Sequence, residues 1–172
     1  VPFPVMTAHT PQSARPLWLL ADIGGTHARF AYAATDVAPL KPIATYEVAR
    51  FSSFETVLAQ LLIDWRERSQ TDTQITKVCM AVAANPHQQE ISFTNNPWRF
   101  TPSQVAAQTG CSDIQIVNDF AAVARSLPAI TAPDLEQIGD GALQLGQPMV
   151  TIGPGTGCGV GTLVFDDAGN AM

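Results

Sequence analysis

The chain has 172 residues, of which 46% are hydrophobic and 14% charged, which suits one good-sized core or two small ones and excludes a disordered chain. A net charge of −6 lacks the positive excess that releases counterions from a nucleic acid, so nucleic-acid binding is not expected. With few Lys and Arg, any phosphate bound here has to be held by backbone N–H groups, a metal ion or a partner domain.

Residues 1–16 carry Pro2, Pro4, Pro11 and Pro16 without the basic-then-apolar order of a signal peptide, and they read as a flexible tail. The apolar run Leu17 to Ala21 predicts a buried strand. It ends at Asp22-Ile23-Gly24-Gly25-Thr26, and Arg29 to Ala33 predicts a strand returning antiparallel to the first, with Gly24-Gly25 at the hairpin tip. A third extended piece, around Ile43 to Val48, leads to Ser52-Ser53-Phe54-Glu55, whose Ser-x-x-Glu spacing predicts a capping box from Ser52 to Glu55. Phe54, Val57, Leu58, Leu61, Leu62 and Trp65 then fall on one face of a helix that fades near Arg68.

Val78 to Ala83 reads as a buried central strand, and Glu90 to Phe93 as a short strand after the Asn85-Pro86 turn. Thr101-Pro102-Ser103-Gln104 predicts a second helix with Thr101 as cap and Pro102 at the first position, ended by Gly110. Ile114 to Val117 is strand-like, and Asn118-Asp119-Phe120 hands over to an Ala-rich helix reaching about Ser126. This order predicts an α/β domain with a mixed sheet. Residues 128–148 read as a crossover. Met149 to Ile152 then opens a strand, glycine loop, strand unit, with the loop over residues 153–161 and the second strand over Thr162 to Phe165.

No apolar run approaches the roughly 18 to 20 residues that span a bilayer, so no membrane attachment is expected. Cys79, Cys111 and Cys158 form neither a disulfide framework nor a zinc site, which points to a reducing, cytoplasmic setting. His9, His27 and His87 show no metal-binding spacing.

Two glycine turns between apolar strands offer backbone N–H groups that can take phosphate oxygens without side-chain charge. There is no Gly-Lys dipeptide, and Gly153, Gly155, Gly157, Gly159 and Gly161 alternate strictly, so neither a P-loop nor a Gly-x-Gly-x-x-Gly fingerprint is present. Each turn also reads as a plain hairpin. Asp22, beside the first turn, can hold a hydrated Mg²⁺ or simply shape the turn. Asp119, between strand and helix, reads either as an N-cap or as a general base taking the proton of an attacking hydroxyl.

Leu19 to Thr26, Ile116 to Phe120 and Ile152 to Val160, with Thr94-Asn95-Asn96-Pro97-Trp98 between them, resemble in order and spacing the bacterial glucokinase family, part of the actin-like superfamily. The resemblance implies an actin-like (ribonuclease H-like) mixed-sheet domain over residues 17–127, a crossover over 128–148, and the start of a larger domain over 149–172. It implies ATP and Mg²⁺ as cofactors and transfer of the γ-phosphoryl group to the 6-hydroxyl of glucose. Ala21, Asp22, Ile23, Gly24, Gly25 and Thr26 correspond to the first phosphate loop, and Gly153, Gly155, Thr156 and Gly157 to the second. Asp22 is the expected Mg²⁺ holder through water. Asn118, Asp119 and Asn95 correspond to sugar-binding residues, and Asp119 to the catalytic base. His27 and Cys158 stand where the family commonly has Asn and Leu. Another sugar kinase of the superfamily or a non-catalytic sugar sensor are the alternatives, and a homodimer is left open. Family members run to roughly twice this length, so the 172-residue chain alone is expected to be inactive.

Overall fold

The computed structural model describes residues 15–34, 38–69, 73–142, 144, 146–154, 158–166 and 168–170. Most of the expected tail, and Gly155, Thr156 and Gly157 of the second loop, lie outside the described residues.

Three strands open the fold as an antiparallel meander: β1 (Arg15–Ile23), β2 (His27–Ala33) and β3 (Lys41–Glu47). After a 3₁₀ turn at Val48–Arg50, helix α1 (Phe54–Ser69) crosses over to β4 (Thr73–Val82), which pairs parallel with β1. A two-stranded ribbon, β5 (Ile91–Ser92) with β6 (Arg99–Phe100), precedes α2 (Pro102–Thr109). Strand β7 (Ile114–Asn118) pairs parallel with β4 and runs into α3 (Asp119–Ser126). The main sheet thus has the order β3-β2-β1-β4-β7. Strands β8 (Met149–Pro154) and β9 (Cys158–Leu163) form a separate antiparallel hairpin against α3.

The core follows from strand and helix periodicity. Leu17, Leu19, Ala21 and Ile23 of β1 and Val78, Met80 and Val82 of β4 are buried at every second position, the pattern of one sheet face packed against another layer. That layer is α1, whose Phe54, Val57, Leu58, Leu61 and Trp65 are buried as the spacing predicts. Phe54 stacks on Phe100 with ring centroids 4.2 Å apart and meets Trp98 edge-on at 6.0 Å. These rings fasten the β5–β6 ribbon to α1.

Three local readings change. The box at the start of α1 is one residue later than Ser52–Glu55: Ser53 Oγ accepts the Thr56 N–H, and Thr56 Oγ1 accepts the Ser53 N–H. A threonine at this position closes the box from its hydroxyl, so Glu55 is not needed. Thr101 and Gln104 do form the expected box on α2, and Gly110 ends that helix with φ +70°. Strand β6 carries no alternating pattern and exists because Ile91 and Ser92 give it a partner. Finally, Gly153, Gly159 and Gly161 belong to β8 and β9 and not to a loop. A Cβ on Gly153 or Gly159 would fall on the Phe120 ring of α3, and one on Gly161 on the Phe120 carbonyl oxygen.

Candidate active site

The three parallel strands end in register. Ile23 of β1 lies opposite Val82 of β4, and Val82 lies opposite Asn118 of β7. The segments that leave them, Gly24–Thr26, Ala83–Pro86 and Asn118–Asp119, therefore emerge side by side, at the carboxyl edge where open α/β sheets carry their ligands. They line a cleft of about 1060 Å³, closed on its far side by Gly153, Pro154 and Cys158 to Val160 of the hairpin. Of the expected site residues, Gly24, Gly25, Thr26, Asn95, Asn118, Asp119 and Gly153 line it together. Ala21 and Ile23 are buried in the core, and Asp22 does not line the cleft.

At the first turn, the Gly24 N–H donates to the His27 carbonyl at 2.9 Å, and the Thr26 carbonyl accepts the Val48 N–H. Neither Gly24 nor Gly25 has a positive φ, so the turn does not need glycine for backbone conformation. The space at Gly25 is tight: a Cβ there would lie 3.2 Å from Asn95 Cβ and 3.3 Å from its carbonyl oxygen, so Asn95 would have to give by a few tenths of an ångström. The neighbouring Asn96 holds this turn in place, and sequence reasoning did not single it out. It is 6% exposed; its Nδ2 donates to the Gly24 carbonyl at 3.2 Å, and its Oδ1 accepts the Trp98 N–H at 2.8 Å. Trp98 in turn donates from Nε1 to the Phe51 carbonyl. The available signal was Asn followed two residues later by Trp, an Asx-turn spacing that locks a loop on its own backbone.

At the start of α3 the N-cap is Asn118, not Asp119. Asn118 Oδ1 accepts the N–H groups of Phe120 and Ala121, and its Nδ2 donates to the carbonyls of Val82 and Ala84. Both ends of this amide are thus committed to backbone. Asp119 uses one oxygen, Oδ1, to accept the Phe120 N–H at 2.9 Å, and it forms no ion pair among the described residues. Asp119 lines the cleft, and its only side-chain hydrogen bond among the described residues is on Oδ1.

The carboxylates within reach of the first turn decide how a magnesium ion could sit here. Mg²⁺ keeps most of its water and takes one or two carboxylates besides substrate phosphates. Asp22 receives the Arg29 guanidinium at 2.9 Å across the β1–β2 pair, and both side chains are about half exposed. A half-exposed carboxylate of this kind can hold the ion's water shell, but only in competition with Arg29. No group of three or more His, Cys, Asp or Glu residues gathers among the described residues, so the chain fits a water-bridged, phosphate-borne Mg²⁺ and not a dedicated protein cage.

A family model described as Glucokinase matches residues 19–171. The chain is 33% identical over 146 residues to a glucokinase of Tolumonas auensis, covering 85% of this chain and 44% of that protein. It is 32% identical over 149 residues to a glucokinase of Yersinia pestis, covering 87% and 44%. Among solved structures, a glucokinase from an Antarctic psychrotroph superimposes with a TM-score of 0.75 at 27% identity, over 91% of this chain and 48% of that one. The chain spans about half the length of the curated relatives it matches.

Proposed function

Because the chain belongs to the glucokinase family, we propose that it contributes the catalytic base and the first phosphate-facing turn of a kinase that moves the γ-phosphoryl group of ATP to the 6-hydroxyl of glucose. The observation that carries this reading is the placement of the Asp119 carboxylate and the Gly24–Thr26 turn on one cleft at the ends of adjacent parallel strands. Phosphoryl transfer through a loose transition state asks a protein mainly for positioning and charge neutralisation. Asp119 takes the hydroxyl proton on the carboxylate oxygen not occupied by the Phe120 N–H, which leaves the sugar oxygen free to attack in line. The N–H groups of Gly25 and Thr26 hold phosphate oxygens. Asp22, which stands outside the cleft lining and is shared with Arg29, would reach a bound Mg²⁺ only through that ion's water, and the ion would supply charge neutralisation on the phosphate oxygens.

Asn95 is exposed at the cleft rim, 3.2 Å from where a Gly25 side chain would begin, and orients the sugar. Asn118 holds the ends of β4 and β7 around it. In this reading residues 17–127 form the small domain, residues 128–148 cross over, and the β8–β9 hairpin opens the larger one. Three separated free cysteines suit a reducing, cytoplasmic compartment.

The test is ADP release by the intact protein, coupled to an indicator, over a panel of hexoses and N-acetylated amino sugars. Glucose-dependent release that exceeds every other sugar by tenfold or more in kcat/KM is expected. No sugar-dependent release, or a tenfold preference for an amino sugar, overturns the assignment.

A further inference from the structure

We infer that Phe120 is a positioning residue: its ring, seated on the glycine face of the β8–β9 hairpin, sets where the Asp119 carboxylate stands across the cleft. The inference rests on the reading of Asp119 as base given above. Three glycines share one face of the hairpin, and Gly153 and Gly159 are direct cross-strand partners. A Cβ on either would fall well inside 3.0 Å of Phe120 ring atoms, and one on Gly161 would meet the Phe120 carbonyl oxygen as closely. The ring therefore lies directly on peptide backbone, with no side chain between. Backbone cannot yield as a flexible side chain does, so hairpin and helix start move as one body.

The same residue is tied to the base from the other side. Its N–H is shared by Asn118 Oδ1 at 3.0 Å and Asp119 Oδ1 at 2.9 Å. A shift of the ring in its socket thus carries the N–H that orients the Asp119 carboxylate. Leu163 of β9 and Ala124 of α3 are also buried here, so Phe120 is not the only apolar group at this contact. A misplacement of about 1 Å at a reacting group can cost on the order of 100-fold in rate, which is the effect a mobile Phe120 would have on Asp119.

The experiment compares Phe120→Leu, Phe120→Ala, Asp119→Asn and Asp119→Asn/Phe120→Leu in the intact protein, with kcat and KM measured well below each melting temperature. Phe120→Leu keeps the socket filled and should melt within a few degrees of the parent. Its kcat should nevertheless fall roughly 10- to 100-fold with little change in sugar KM. In the double variant kcat should lie within about threefold of Asp119→Asn alone, because an effect that travels through the carboxylate disappears with it. A Phe120→Leu kcat within twofold of the parent, or losses that multiply in the double variant, overturns the inference while leaving the base assignment standing. A Phe120→Ala variant that melts normally with parental kcat does the same. An Asp119→Asn kcat within a few-fold of the parent overturns the base assignment, and the inference with it.

Discussion

Asn118 Oδ1 accepts two helix N–H groups and its Nδ2 donates to two carbonyls of the β4 end, so the start of α3 does not depend on the side chain that follows. Asp119→Asn should therefore leave the melting temperature almost unchanged. On the proposed reading it removes the proton acceptor, and kcat should fall roughly 10²- to 10⁴-fold; steady-state ADP release and thermal melting on the same sample check both halves. Asn118→Ala should show the opposite balance, with a stability loss of about 1–2 kcal/mol from the cap alone. Asn96 makes a similar commitment in a buried place. Asn96→Ala would strand the Gly24 carbonyl and the Trp98 N–H, at a cost of about 1–3 kcal/mol in a denaturant titration. Because the first turn hangs on that bond, affinity for a non-hydrolysable ATP analogue should weaken as well, while an unchanged calorimetric affinity would detach the turn from phosphate binding.

The β8–β9 hairpin shows how a run of glycines can serve packing as well as ligands. Gly159→Ala should destabilise by about 1–3 kcal/mol through overpacking against the Phe120 ring. Adding Phe120→Ala should restore much of that loss, because the neighbour is then absent. Gly161→Ala should not be rescued in this way, since the atom it meets is the Phe120 backbone carbonyl; urea melts of the two double variants separate the cases. Beyond the hairpin, Asp166 closes a turn. The Asn170 side chain donates to its Oδ2 and the Asn170 and Ala168 N–H groups to its Oδ1. The Asn170 amide, with those backbone donors, holds the carboxyl below its ordinary range. A carboxyl lowered in the folded state stabilises the turn above its unfolded pKa, and that contribution is lost as pH falls through the folded value. Asn170→Ala should therefore raise the Asp166 titration midpoint toward the ordinary value, and carboxyl-carbon NMR that shows no rise contradicts the bond.

Across the molecule, burial is uneven. One face of the five-stranded sheet is sealed by α1 and α2, whereas the hairpin face turned away from α3 leaves Val150, Ile152 and Val160 more than half exposed. Such a face invites association. The 172-residue chain produced by itself should self-associate in sedimentation experiments, and Ile152→Lys with Val160→Lys should suppress this without changing the melting temperature. Its cleft, offering few side-chain donors, should also turn glucose over well below about 1 s⁻¹, the lower end of ordinary enzyme rates. No helix among the described residues is long and apolar enough to cross a membrane.

Most strands, the helices and the joint presence of three motifs were legible from residue order, because alternation, i to i+4 stripes and caps are local patterns: the Leu17 to Ala21 strand, which the fold extends to Arg15–Ile23, the Phe54 to Trp65 stripe and the Thr101–Gln104 box stand where spacing implies. The resemblance carried by the glycine turn and Asn118-Asp119 likewise lay in short segments. Which lone pair of which side chain remains for a substrate was not legible. Asn96 spends its amide on a carbonyl 72 positions away, and Asn118 on one 34 positions away. The alternating glycines of the second unit do not disclose that Phe120 packs against Gly153, Gly159 and Gly161. Those outcomes depend on contacts between segments that only folding brings within 3–4 Å, where hydrogen bonding and steric exclusion act and sequence periodicity carries no information.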